Sequence, residues 1–439
     1  MTLSKINQKE VLENLGFEHL NRMQNATIAA AKKNANVVLL APTGSGKTIA
    51  YLLSILPKLK ADIKGVQALI LAPTRELALQ IESVIKSMKI DVRSTICYGG
   101  HSFSVERKNL KSPPSILIGT PGRIQDHLDR GTFDAYDLHT IVFDEFDKAL
   151  EIGFSKQMEA IVELLPHVKN QLLVSATNTI DIPEYLNFNK SDTLNFATEE
   201  AGALKVAKHV MPKEDKLKGL LAVLNQLEED QRAIVFVNHR DMSDRVGEFL
   251  AYQNVDYSVF HGGLEQDKRE LELTRFRNGS SQVLIATDIA ARGIDIPNLD
   301  YVIHYQMPYQ ESVYTHRNGR TARMKASGTS ILILTDQDFL PEYITEEPEV
   351  FPIDENKQLT STGWATLHIN RGKKHKVNKM DLVGYLLAFD FMSKEDLGLI
   401  EVRDFFAHFA VRRSKCVELL AAVKGKKIKN KSAKFDFAR

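Results

Sequence analysis

Short runs of β-branched and leucine residues recur along most of the chain, and stretches with helical spacing of apolar positions separate them. Continuous apolar strands that alternate with helices are typical of parallel sheets covered on both faces. The first series of predicted strands covers residues 37–40, 68–71, 115–118, 140–143 and 171–174, and the second covers 233–237, 283–286, 301–304 and 330–334. The two series predict two α/β domains that meet near residues 199–216.

The pattern changes beyond residue 344, where an acidic stretch with Pro348 and Pro352 lacks periodicity and indicates a linker. After it, the predicted strands are 364–369, 399–402, 405–411 and 433–437, and the predicted helices are 381–391 and 414–423. This β-α-β-β-α-β order is typical of a small ferredoxin-like α+β module. We therefore expect domains at residues 1–205, 206–344 and 363–439, with a linker at 345–362.

Composition narrows the class of protein. Of the 439 residues, 43% are hydrophobic and 26% are charged, which is typical of a globular protein. The net charge of +1 means that any affinity for nucleic acid must come from local basic patches. Cys97 and Cys416 provide neither a disulfide framework nor a zinc spacing. No signal peptide and no apolar run of ~18 residues is evident, so we expect a cytoplasmic protein without a membrane partner.

The segment Ala41-Pro-Thr-Gly-Ser-Gly-Lys-Thr48 follows a predicted strand and precedes a helical stretch. It matches the phosphate-binding P-loop pattern, except that Ala41 replaces the first glycine. Gly44 and Gly46 allow backbone N–H groups to close around phosphate oxygens. Lys47 supplies a charge to the β- and γ-phosphates, and the Thr48 hydroxyl can bind Mg²⁺. The alternative, a tight turn with a surface lysine, does not explain why all these residues occur together.

The acidic segment Asp144-Glu-Phe-Asp147 ends a predicted strand. The carboxyl ends of parallel strands form the ligand-binding edge of such sheets. Asp144 is therefore placed to hold Mg²⁺, and Glu145 to orient or deprotonate an attacking water. Alone, four such residues usually form a helix N-cap or a solvated turn. Downstream of a P-loop, the catalytic interpretation is favoured.

Taken in order, the motifs of residues 10–335 resemble those of the DEAD-box RNA helicases of superfamily two. In the first half they are Gly16-Phe17 with Gln24, the P-loop, Pro73-Thr-Arg-Glu-Leu-Ala78, Gly99-Gly100, Thr120-Pro-Gly-Arg123, the acidic segment and Ser175-Ala-Thr177. In the second half they are Val235-Phe-Val-Asn238, Gln266 with Arg269, Ala286-Thr-Asp288, Arg292-Gly-Ile-Asp295 and His316-Arg-Asn-Gly-Arg-Thr-Ala-Arg323. The resemblance implies two RecA-like domains that couple ATP hydrolysis to RNA clamping and local duplex unwinding.

The resemblance also implies roles for individual residues. ATP would be bound by Phe17, Gln24, Thr43, Gly44, Ser45, Gly46, Lys47, Thr48, Gly293 and Asp295, and Mg²⁺ by Thr48 and Asp144. The catalytic residues would be Lys47, Glu145, Arg320 and Arg323, with both arginines reaching the γ-phosphate across a cleft. RNA backbone contacts would come from Arg75, Gly100, Thr120, Arg123, Arg269 and Thr287, and coupling from Asp147, Ser175, Thr177 and His316. The alternative for the arginine-rich run is a solvated helix face, which the presence of the P-loop disfavours.

Three positions depart from the family pattern. Phe146 stands where the family has alanine, and Asn318 and Ala322 stand where isoleucine and glycine are usual. The residues Asn21 to Met23 replace the usual approach to Gln24. Because the essential charged residues remain, we expect ATPase activity to be retained, with altered packing near Ser175 and Thr177.

The C-terminal segments Thr366–Lys376 and Lys424–Ser432 resemble the RNA-binding module of DbpA-type bacterial helicases. The resemblance implies an RNA-recognition-motif fold that targets large-subunit ribosomal RNA. Two lysine runs flank the module, and phosphate contact is favoured over a solvated tail for Lys373, Lys374, Lys376, Lys426, Lys427 and Lys429. Alternation predicts that Phe405, Ala407, Phe409 and Val411 point inward and that Phe406 and His408 point to the opposite face. Phe406 either stacks on a base or covers another segment.

The leading interpretation is an RNA-stimulated ATPase, acting as a monomer on structured ribosomal RNA during large-subunit assembly. A second hypothesis is an RNA-binding scaffold with a degenerate catalytic core, which Phe146 motivates. A third is a DNA helicase, which the RNA-helicase motifs disfavour. Phosphate release with and without RNA distinguishes the first from the second, and stimulation by matched DNA and RNA strands distinguishes the third.

Overall fold

The computed structural model describes residues 7–42, 44–176, 181–186, 188, 191–196, 204–288, 299–321 and 328–438. The chain divides into two compact units, residues 1–201 with 292–295, and residues 202–291 with 296–439. Among the described helices, none is both long enough and apolar enough to cross a bilayer.

The first unit contains a parallel sheet of seven strands. Its strands are β1 (Asn36–Leu40), β2 (Ala68–Leu71), β3 (Ser94–Cys97), β4 (Ile116–Gly119), β5 (Thr140–Phe143), β6 (Asn170–Ser175) and β7 (Ser191–Asn195), in the spatial order β3-β4-β2-β5-β6-β1-β7. The five strands predicted from apolar runs are confirmed to within two residues. β3 and β7 were not predicted, because these edge strands are mostly half-buried or exposed and lack a continuous apolar run.

Helices cover both faces of this sheet. They are α1 (Gln8–Leu15), α2 (Arg22–Lys33), α3 (Lys47–Ile55), α4 (Arg75–Ser87), α5 (Phe103–Leu110), α6 (Pro121–Asp129), α7 (Phe146–Glu151) and α8 (Ser155–Glu163). Val37 and Leu39 of β1 pack into one core with α2, α3 and α4, whereas Val38 and Leu40 pack into another with α6, α7 and α8. Burial on both faces explains why these strands are apolar throughout rather than alternating.

The second unit begins with another parallel sheet. Its strands are β8 (Leu204–Met211), β9 (Ala233–Val237), β10 (Tyr257–Phe260), β11 (Val283–Thr287), β12 (Tyr301–His304), β13 (Gly328–Thr335) and β14 (Glu349–Val350), in the order β10-β11-β9-β12-β13-β8-β14. Its helices are α9 (Lys216–Leu224), α10 (Arg240–Tyr252), α11 (Gln266–Arg277) and α12 (Glu311–Asn318). β14 lies within the segment expected to be a linker. It pairs with β8, so this segment extends the sheet edge.

A smaller antiparallel sheet follows in the same unit. Its strands are β15 (Trp364–Ile369), β16 (Leu397–Val402), β17 (Ala407–Arg412) and β20 (Phe435–Phe437), in the order β16-β17-β15-β20, with a hairpin of β18 (Lys427–Ile428) and β19 (Lys431–Ser432). The helices are α13 (Lys379–Leu386) and α14 (Arg413–Val423). The fold class expected from the sequence, two RecA-like α/β domains and a small α+β domain, is confirmed. The predicted helix 381–391 ends earlier, at Leu386.

Phe405, the first residue of the strand predicted at 405–411, faces solvent although the alternation pattern predicts that it faces the core. Ala407, Phe409 and Val411 are fully buried, as predicted, but Phe405 is 63% exposed. The reason is that Phe405 precedes β17 and lies in a turn, where its ring contacts His375 at a centroid distance of 6.2 Å. The alternation rule therefore applies from Ala407 onward only.

The small sheet packs against the preceding α/β domain through buried polar contacts. Asn278 donates from Nδ2 to the Thr366 hydroxyl at 2.8 Å, and that hydroxyl lies 2.8 Å from the Ser280 Oγ. All three side chains are buried. Beside them, the Thr274 hydroxyl donates to Glu401 at 3.0 Å. Because a buried polar group left unpaired costs about 1–3 kcal/mol, these bonds fix the position of the small domain.

Candidate functional site

The loop between β1 and α3 has the backbone shape of an anion-binding loop. Gly44 and Gly46 adopt φ angles of +83° and +88°, in the left-handed region that favours glycine. Gly46 is also the N-cap of α3, so the helix begins at Lys47. The free N–H groups and the dipole of a helix N-terminus attract negative charge. The Ser45 hydroxyl donates back to the carbonyl of Pro42 at 2.8 Å and tightens the loop.

Lys47 folds into this loop. Its Nζ donates to the carbonyl oxygens of Ala41 at 2.6 Å and Pro42 at 3.0 Å. Desolvation lowers the pKa of Lys47 to about 8, against the charges of Asp144 and Glu145, which raise it. A poorly hydrated ammonium held only by carbonyl dipoles can exchange them for the stronger, charged oxygens of a phosphate.

Asp144 follows β5 at the same edge of the sheet, because the carboxyl ends of parallel strands lie together. The buried Tyr51 donates its hydroxyl to Asp144 Oδ2 at 2.8 Å, and the Glu145 backbone N–H donates to Oδ1 at 2.9 Å. Burial raises the pKa of Asp144 to about 6, and the Glu145 charge adds to this effect. The Tyr51 hydrogen bond and the Lys47 charge act in the opposite direction.

The oxygen atoms around Tyr51 fit a hard divalent cation. The Tyr51 hydroxyl interacts with the Thr48 side chain as well as with Asp144, so both candidate ligands meet at one side chain. Carboxylate and hydroxyl oxygens are ligands that suit Mg²⁺. A buried carboxylate whose charged form is disfavoured by desolvation is stabilised when a cation binds.

Glu145 is held by backbone and side chain together. It is the N-cap of α7 and has left-handed angles of φ 46° and ψ 50°, which cost about 1–3 kcal/mol in a non-glycine residue and cluster at functional sites. The fully buried Lys148 places its Nζ 3.0 Å from Glu145 Oε1. Because an unpaired buried ammonium is costly, this ion pair fixes the Glu145 side chain. Lys148 was not predicted as a site residue, because a lysine three residues after a glutamate is common on exposed helices.

Gln24 and the unusual residue Asn21 are both tied to the phosphate loop. They form a capping box at the start of α2, with bonds of 2.8 Å and 3.0 Å. The amide of Asn21 donates to the Ser45 carbonyl at 2.9 Å, and that of Gln24 to the Gly46 carbonyl at 3.3 Å. Asn21, which departs from the family pattern, therefore helps to attach the start of α2 to the phosphate loop. Phe17, the expected stacking partner, is 48% exposed.

The atypical Phe146 is absorbed by the core. It is fully buried and meets Phe143 edge-on, with ring centroids 5.9 Å apart at 78°. Both rings belong to the core on the α6–α8 side of the sheet. Asp147 and Ser175, two of the expected coupling residues, are also buried. The larger side chain at position 146 thus leaves the carboxylates of the acidic segment in place.

Four expected RNA-contact residues of the first unit converge on one turn. Gly100 has a φ of +88°, and a Cβ atom there would lie 2.6 Å from Arg75 Nη1. Arg123 donates from Nε to the carbonyl of Tyr98 at 3.2 Å, just before the two glycines. The backbone N–H of Thr120 donates to the carbonyl of Cys97, at the end of β3. These residues form one surface although they are up to 48 positions apart in sequence.

In the second unit, Arg317 joins the ends of three strands. Its guanidinium makes two bonds to Asp288, of 2.6 Å and 2.7 Å, and further bonds to Asn238 at 2.8 Å and to the Gln306 carbonyl at 2.6 Å. Its face lies 5.0 Å from the Phe236 ring centroid. Arg317 is buried and Asp288 is half-buried, and a bidentate pair of this kind orders the neighbouring loops. Arg317 was missed as a site residue, although it lies within the arginine-rich motif.

Several neighbours of Arg317 within the described part of this motif are also buried. His316 and Arg320 are 5% and 3% exposed, and the atypical Asn318 is 7% exposed. The Asn318 Oδ1 accepts from the Ser330 hydroxyl at 2.9 Å and lies 3.0 Å from His304 Nε2. Burial lowers the pKa of His304 to about 3, so its ring is neutral and can share this polar pocket. Asn318 thus has polar partners where an isoleucine would need an apolar pocket.

Two RNA-contact candidates of the second parallel-sheet domain, Thr287 and Arg269, lie at the carboxyl ends of neighbouring strands. Thr287 is buried at the end of β11, and Arg269 in α11 stacks over Phe260 at the end of β10, 5.0 Å from its ring centroid.

Five predicted site residues, Thr43, Thr177, Gly293, Asp295 and Arg323, lie outside the described residues.

The two lysine runs of the small domain meet on one surface. Lys429, beside the hairpin of β18 and β19, donates to the carbonyl of Lys376 at 2.8 Å and pairs with Asp381 at 2.7 Å. The Lys426 Nζ lies 4.4 Å from the Phe389 ring centroid. The other four predicted contacts, Lys373, Lys374, Lys376 and Lys427, are exposed. Phosphate-binding lysines are expected to be accessible in this way.

Phe406 covers part of its own sheet. It is half-buried, and its ring lies 5.5 Å from that of His368 and 5.0 Å from that of His408. The two histidine rings are 3.2 Å apart between nitrogen atoms, and burial lowers both pKa values, that of His408 to about 4. The three rings therefore form one neutral aromatic patch, beside the part of the sheet that packs on the preceding domain.

Three family models match the chain. Residues 21–184 match the DEAD/DEAH box helicase model, and residues 213–325 match the helicase conserved C-terminal domain. Residues 366–436 match the DbpA RNA binding domain. The matches follow the division of the structure into two parallel sheets and a small antiparallel one.

Known proteins support the same assignment. The chain is 32% identical to the ATP-dependent RNA helicase DbpA of Escherichia coli (96% of this chain, 95% of the relative) and 30% identical to that of Bacillus subtilis (97% and 96%). The solved structure of Mss116p bound to single-stranded RNA and AMP-PNP is 27% identical, with a TM-score of 0.67 over 76% of this chain and 75% of that one. The fold also matches S. cerevisiae Dbp5 bound to RNA and ADP BeF3, with a TM-score of 0.69 at 24% identity over 81% and 96% of the two chains. The chain therefore belongs to the DEAD-box family of ATP-dependent RNA helicases.

Proposed function

We propose that the first domain holds the ATP phosphates in the loop between β1 and α3, with Mg²⁺ at Thr48 and Asp144. The observation that carries the proposal is the meeting of Lys47, Asp144 and Glu145 at one sheet edge, beside the N-terminus of α3. The bound ion would neutralise phosphate charge. Lys47 would move from the loop carbonyls to the phosphate oxygens, and the Lys148 ion pair would hold Glu145 toward the attacking water.

The second domain would complete the site. Planar guanidinium groups match phosphate oxygens well, so Arg320 and Arg323 would stabilise the charge that develops on the γ-phosphate. Gly293 and Asp295 would contact the nucleotide, as Phe17 and Gln24 would contact its base. Hydrolysis would be transmitted to the RNA through Asp147, Ser175, Thr177 and His316. ATP would then favour a closed clamp on RNA, and its hydrolysis would release the clamp.

RNA would be held along its sugar-phosphate backbone. The proposed contacts are Arg75, Gly100, Thr120 and Arg123 in the first domain and Arg269 and Thr287 in the second. These are cations, hydroxyls and an approachable glycine, which grip a strand without reading its bases. Contacts to 2′-hydroxyl groups would distinguish RNA from DNA.

The small domain would select the substrate. Its resemblance to the DbpA RNA binding domain and its exposed lysines support structured ribosomal RNA as the target, with large-subunit assembly as the process and a monomer as the acting form. The lysine surface is basic although the whole chain carries a net charge of only +1, which favours a local rather than a general attraction for RNA.

Replacement of Glu145 by glutamine separates ATP binding from turnover. Glutamine keeps the size of the side chain but cannot accept a proton from water, so we expect RNA-stimulated phosphate release to fall by at least ~100-fold while ATP still binds. Phosphate release and nucleotide affinity are measured on the full chain. The exposed Glu163 offers a matched control, Glu163→Gln, with wild-type turnover expected. Wild-type turnover in Glu145→Gln would contradict the assigned role.

The pH dependence of kcat/KM for ATP tests the charged groups of the free enzyme. Below about pH 6 Asp144 is protonated and loses its attraction for the metal, so kcat/KM falls as the pH decreases. Above about pH 8 Lys47 loses its charge, so kcat/KM falls as the pH increases. The profile at saturating RNA is therefore expected to be bell-shaped.

The decrease of kcat/KM at low pH needs a control, because the phosphate groups of the nucleotide also titrate near pH ~6. The variant Tyr51→Phe provides it. The Tyr51 hydrogen bond lowers the pKa of Asp144, so its removal should move the acid side to higher pH. The nucleotide titrates identically with both enzymes. An acid side that stays in place or moves to lower pH would refute the assignment to Asp144.

The substrate proposal predicts that the lysine surface distinguishes RNAs. In a variant with alanine at Lys373, Lys374 and Lys427, we expect activation of the ATPase by ribosomal RNA to need roughly tenfold more RNA, because three phosphate contacts are lost. Activation by a random single strand, which the proposal assigns to the backbone contacts of the first two domains, should be unchanged. Alanine at the exposed Lys32, Lys33 and Lys394 removes the same charge elsewhere and should change neither. Equal activation of the wild-type ATPase by the ribosomal and the random RNA would contradict specificity for ribosomal RNA.

A further inference from the structure

One buried carboxylate, Glu106 of α5, lies outside every helicase motif in the sequence. It is fully buried, and its two oxygens contact the turn after β3 and helix α6, the two segments that form the proposed RNA surface. A buried carboxylate without donors would be strongly unfavourable, so these bonds are what allow it to be there. Their arrangement indicates what Glu106 does.

The first oxygen holds a turn at both of its ends. The backbone N–H of Tyr98 donates to Glu106 Oε1 at 3.1 Å, and His101 Nδ1 lies 3.2 Å from the same atom. Between these two residues are Gly99 and Gly100. Charge-assisted bonds to a carboxylate are about twice as strong as neutral ones, so a single oxygen restrains the whole turn.

The second oxygen holds helix α6, which follows β4. Arg123 Nε lies 3.0 Å from Glu106 Oε2, and His127 Nε2 lies 3.0 Å from it. The same guanidinium donates to the carbonyls of Tyr98, at 3.2 Å, and His101. The carboxylate and the guanidinium therefore both hold Tyr98 and His101, the residues on either side of the two glycines.

This brace determines which groups are presented to RNA. With the turn fixed, Gly100 keeps a φ of +88° and its backbone lies directly against the Arg75 guanidinium. The backbone of Gly100 and the positive charge of Arg75 are thereby held next to each other. Donors that are fixed before binding lose little conformational entropy when they grip a strand.

A metal site is the competing interpretation of the same residues. Cys97, Glu106 and His127 offer ligand atoms that all lie within 4.8 Å of one another. Yet the Arg123 guanidinium already binds the carboxylate, and its charge repels a divalent cation. Burial also raises the pKa of the Cys97 thiol, which favours the protonated form that does not bind metals. The network is therefore an ion-pair brace.

We propose that Glu106 is a positioning residue for RNA binding, which sets the shape of the Gly99–Gly100 turn and the orientation of Arg123. The proposal rests on the proposed function, since it assumes that this turn meets the RNA backbone. Glu106 is remote from the phosphate loop in sequence and is not one of the three carboxylates of the acidic segment. Its loss should therefore weaken RNA binding and leave hydrolysis in the RNA-saturated enzyme intact.

Glu106→Gln tests this in the full chain. The amide keeps the size of the side chain but turns N–H groups toward the donors on one side, so the brace opens there. We expect the RNA concentration for half-maximal ATPase activity to rise about tenfold, while kcat at saturating RNA and KM for ATP stay within about twofold. Glu163→Gln, the same charge change on an exposed helix end, should match the wild type in all three.

Each other outcome has a definite meaning. An unchanged RNA requirement overturns the proposal, and so does a joint fall in kcat, ATP affinity and melting temperature, which is the signature of a merely structural residue. If Glu106→Gln does not fold, Glu106→Asp keeps the charge but cannot reach both the turn and helix α6, and a smaller rise in the RNA requirement is expected. A wild-type ATPase that RNA does not stimulate would instead refute the proposed function.

Discussion

The charge cluster at the carboxyl edge of the first sheet is the constraint on which the rest of the structure depends. Lys47, Asp144, Glu145 and Lys148 are brought within interaction distance, and the protein removes much of the water that would screen them. Such charges are tolerable because each is paired or hydrogen-bonded. The Tyr51 hydroxyl, the Glu145 backbone and the Lys148 ammonium supply these partners. The cluster is therefore prepared for a phosphate and a cation.

The fold accounts for this preparation. A parallel sheet with both faces covered sends all its strands toward one edge, so the phosphate loop after β1 and the carboxylates after β5 meet there although about 100 residues separate them. The same rule places Asn238, Asp288 and Arg317 together in the second unit. In both domains, a buried ion pair then fixes the loops: Lys148 with Glu145 in the first and Arg317 with Asp288 in the second.

The RNA side of the first domain uses the same device. Glu106 and Arg123 form a buried pair beneath a glycine turn, so the groups that would meet RNA are backbone and Arg75 rather than long mobile side chains. The small domain, in contrast, presents exposed lysines on a hairpin and a short turn. A rigid grip on the RNA backbone does not depend on sequence, and the exposed lysines add an adaptable basic surface.

Much of the fold was predictable from the sequence, because fully buried strands leave continuous apolar runs. The edge strands β3 and β7 were missed, since strands with exposed residues carry no such run. Phe405 was assigned inward because alternation was extended beyond the strand's true start at Ala407. The motif residues could be recognised from their order along the chain. Their supporting partners could not.

Those partners, Lys148, Tyr51 and Glu106, are defined by tertiary contacts, and the role of Arg317, which lies within a recognised motif, is visible only in its contacts. A lysine three residues after a glutamate is common on exposed helices, and only burial shows that Lys148 matters. Phe146 and Asn318 illustrate the converse, because they look disruptive in the sequence but find partners in Phe143, and in His304 with Ser330. Whether such a residue disrupts the site or is accommodated depends on the side chains around it, and a single sequence does not show which side chains these are.

The central claim is that the second domain completes the phosphate site of the first, and Arg320→Gln tests it most directly. Nucleotide affinity without RNA and RNA-stimulated turnover should be measured on the same preparation. If the claim is correct, affinity stays near the wild-type value, because the first domain alone binds the phosphates, while turnover falls by roughly 10³-fold or more. Turnover that survives the loss of this arginine would contradict a site divided between two domains.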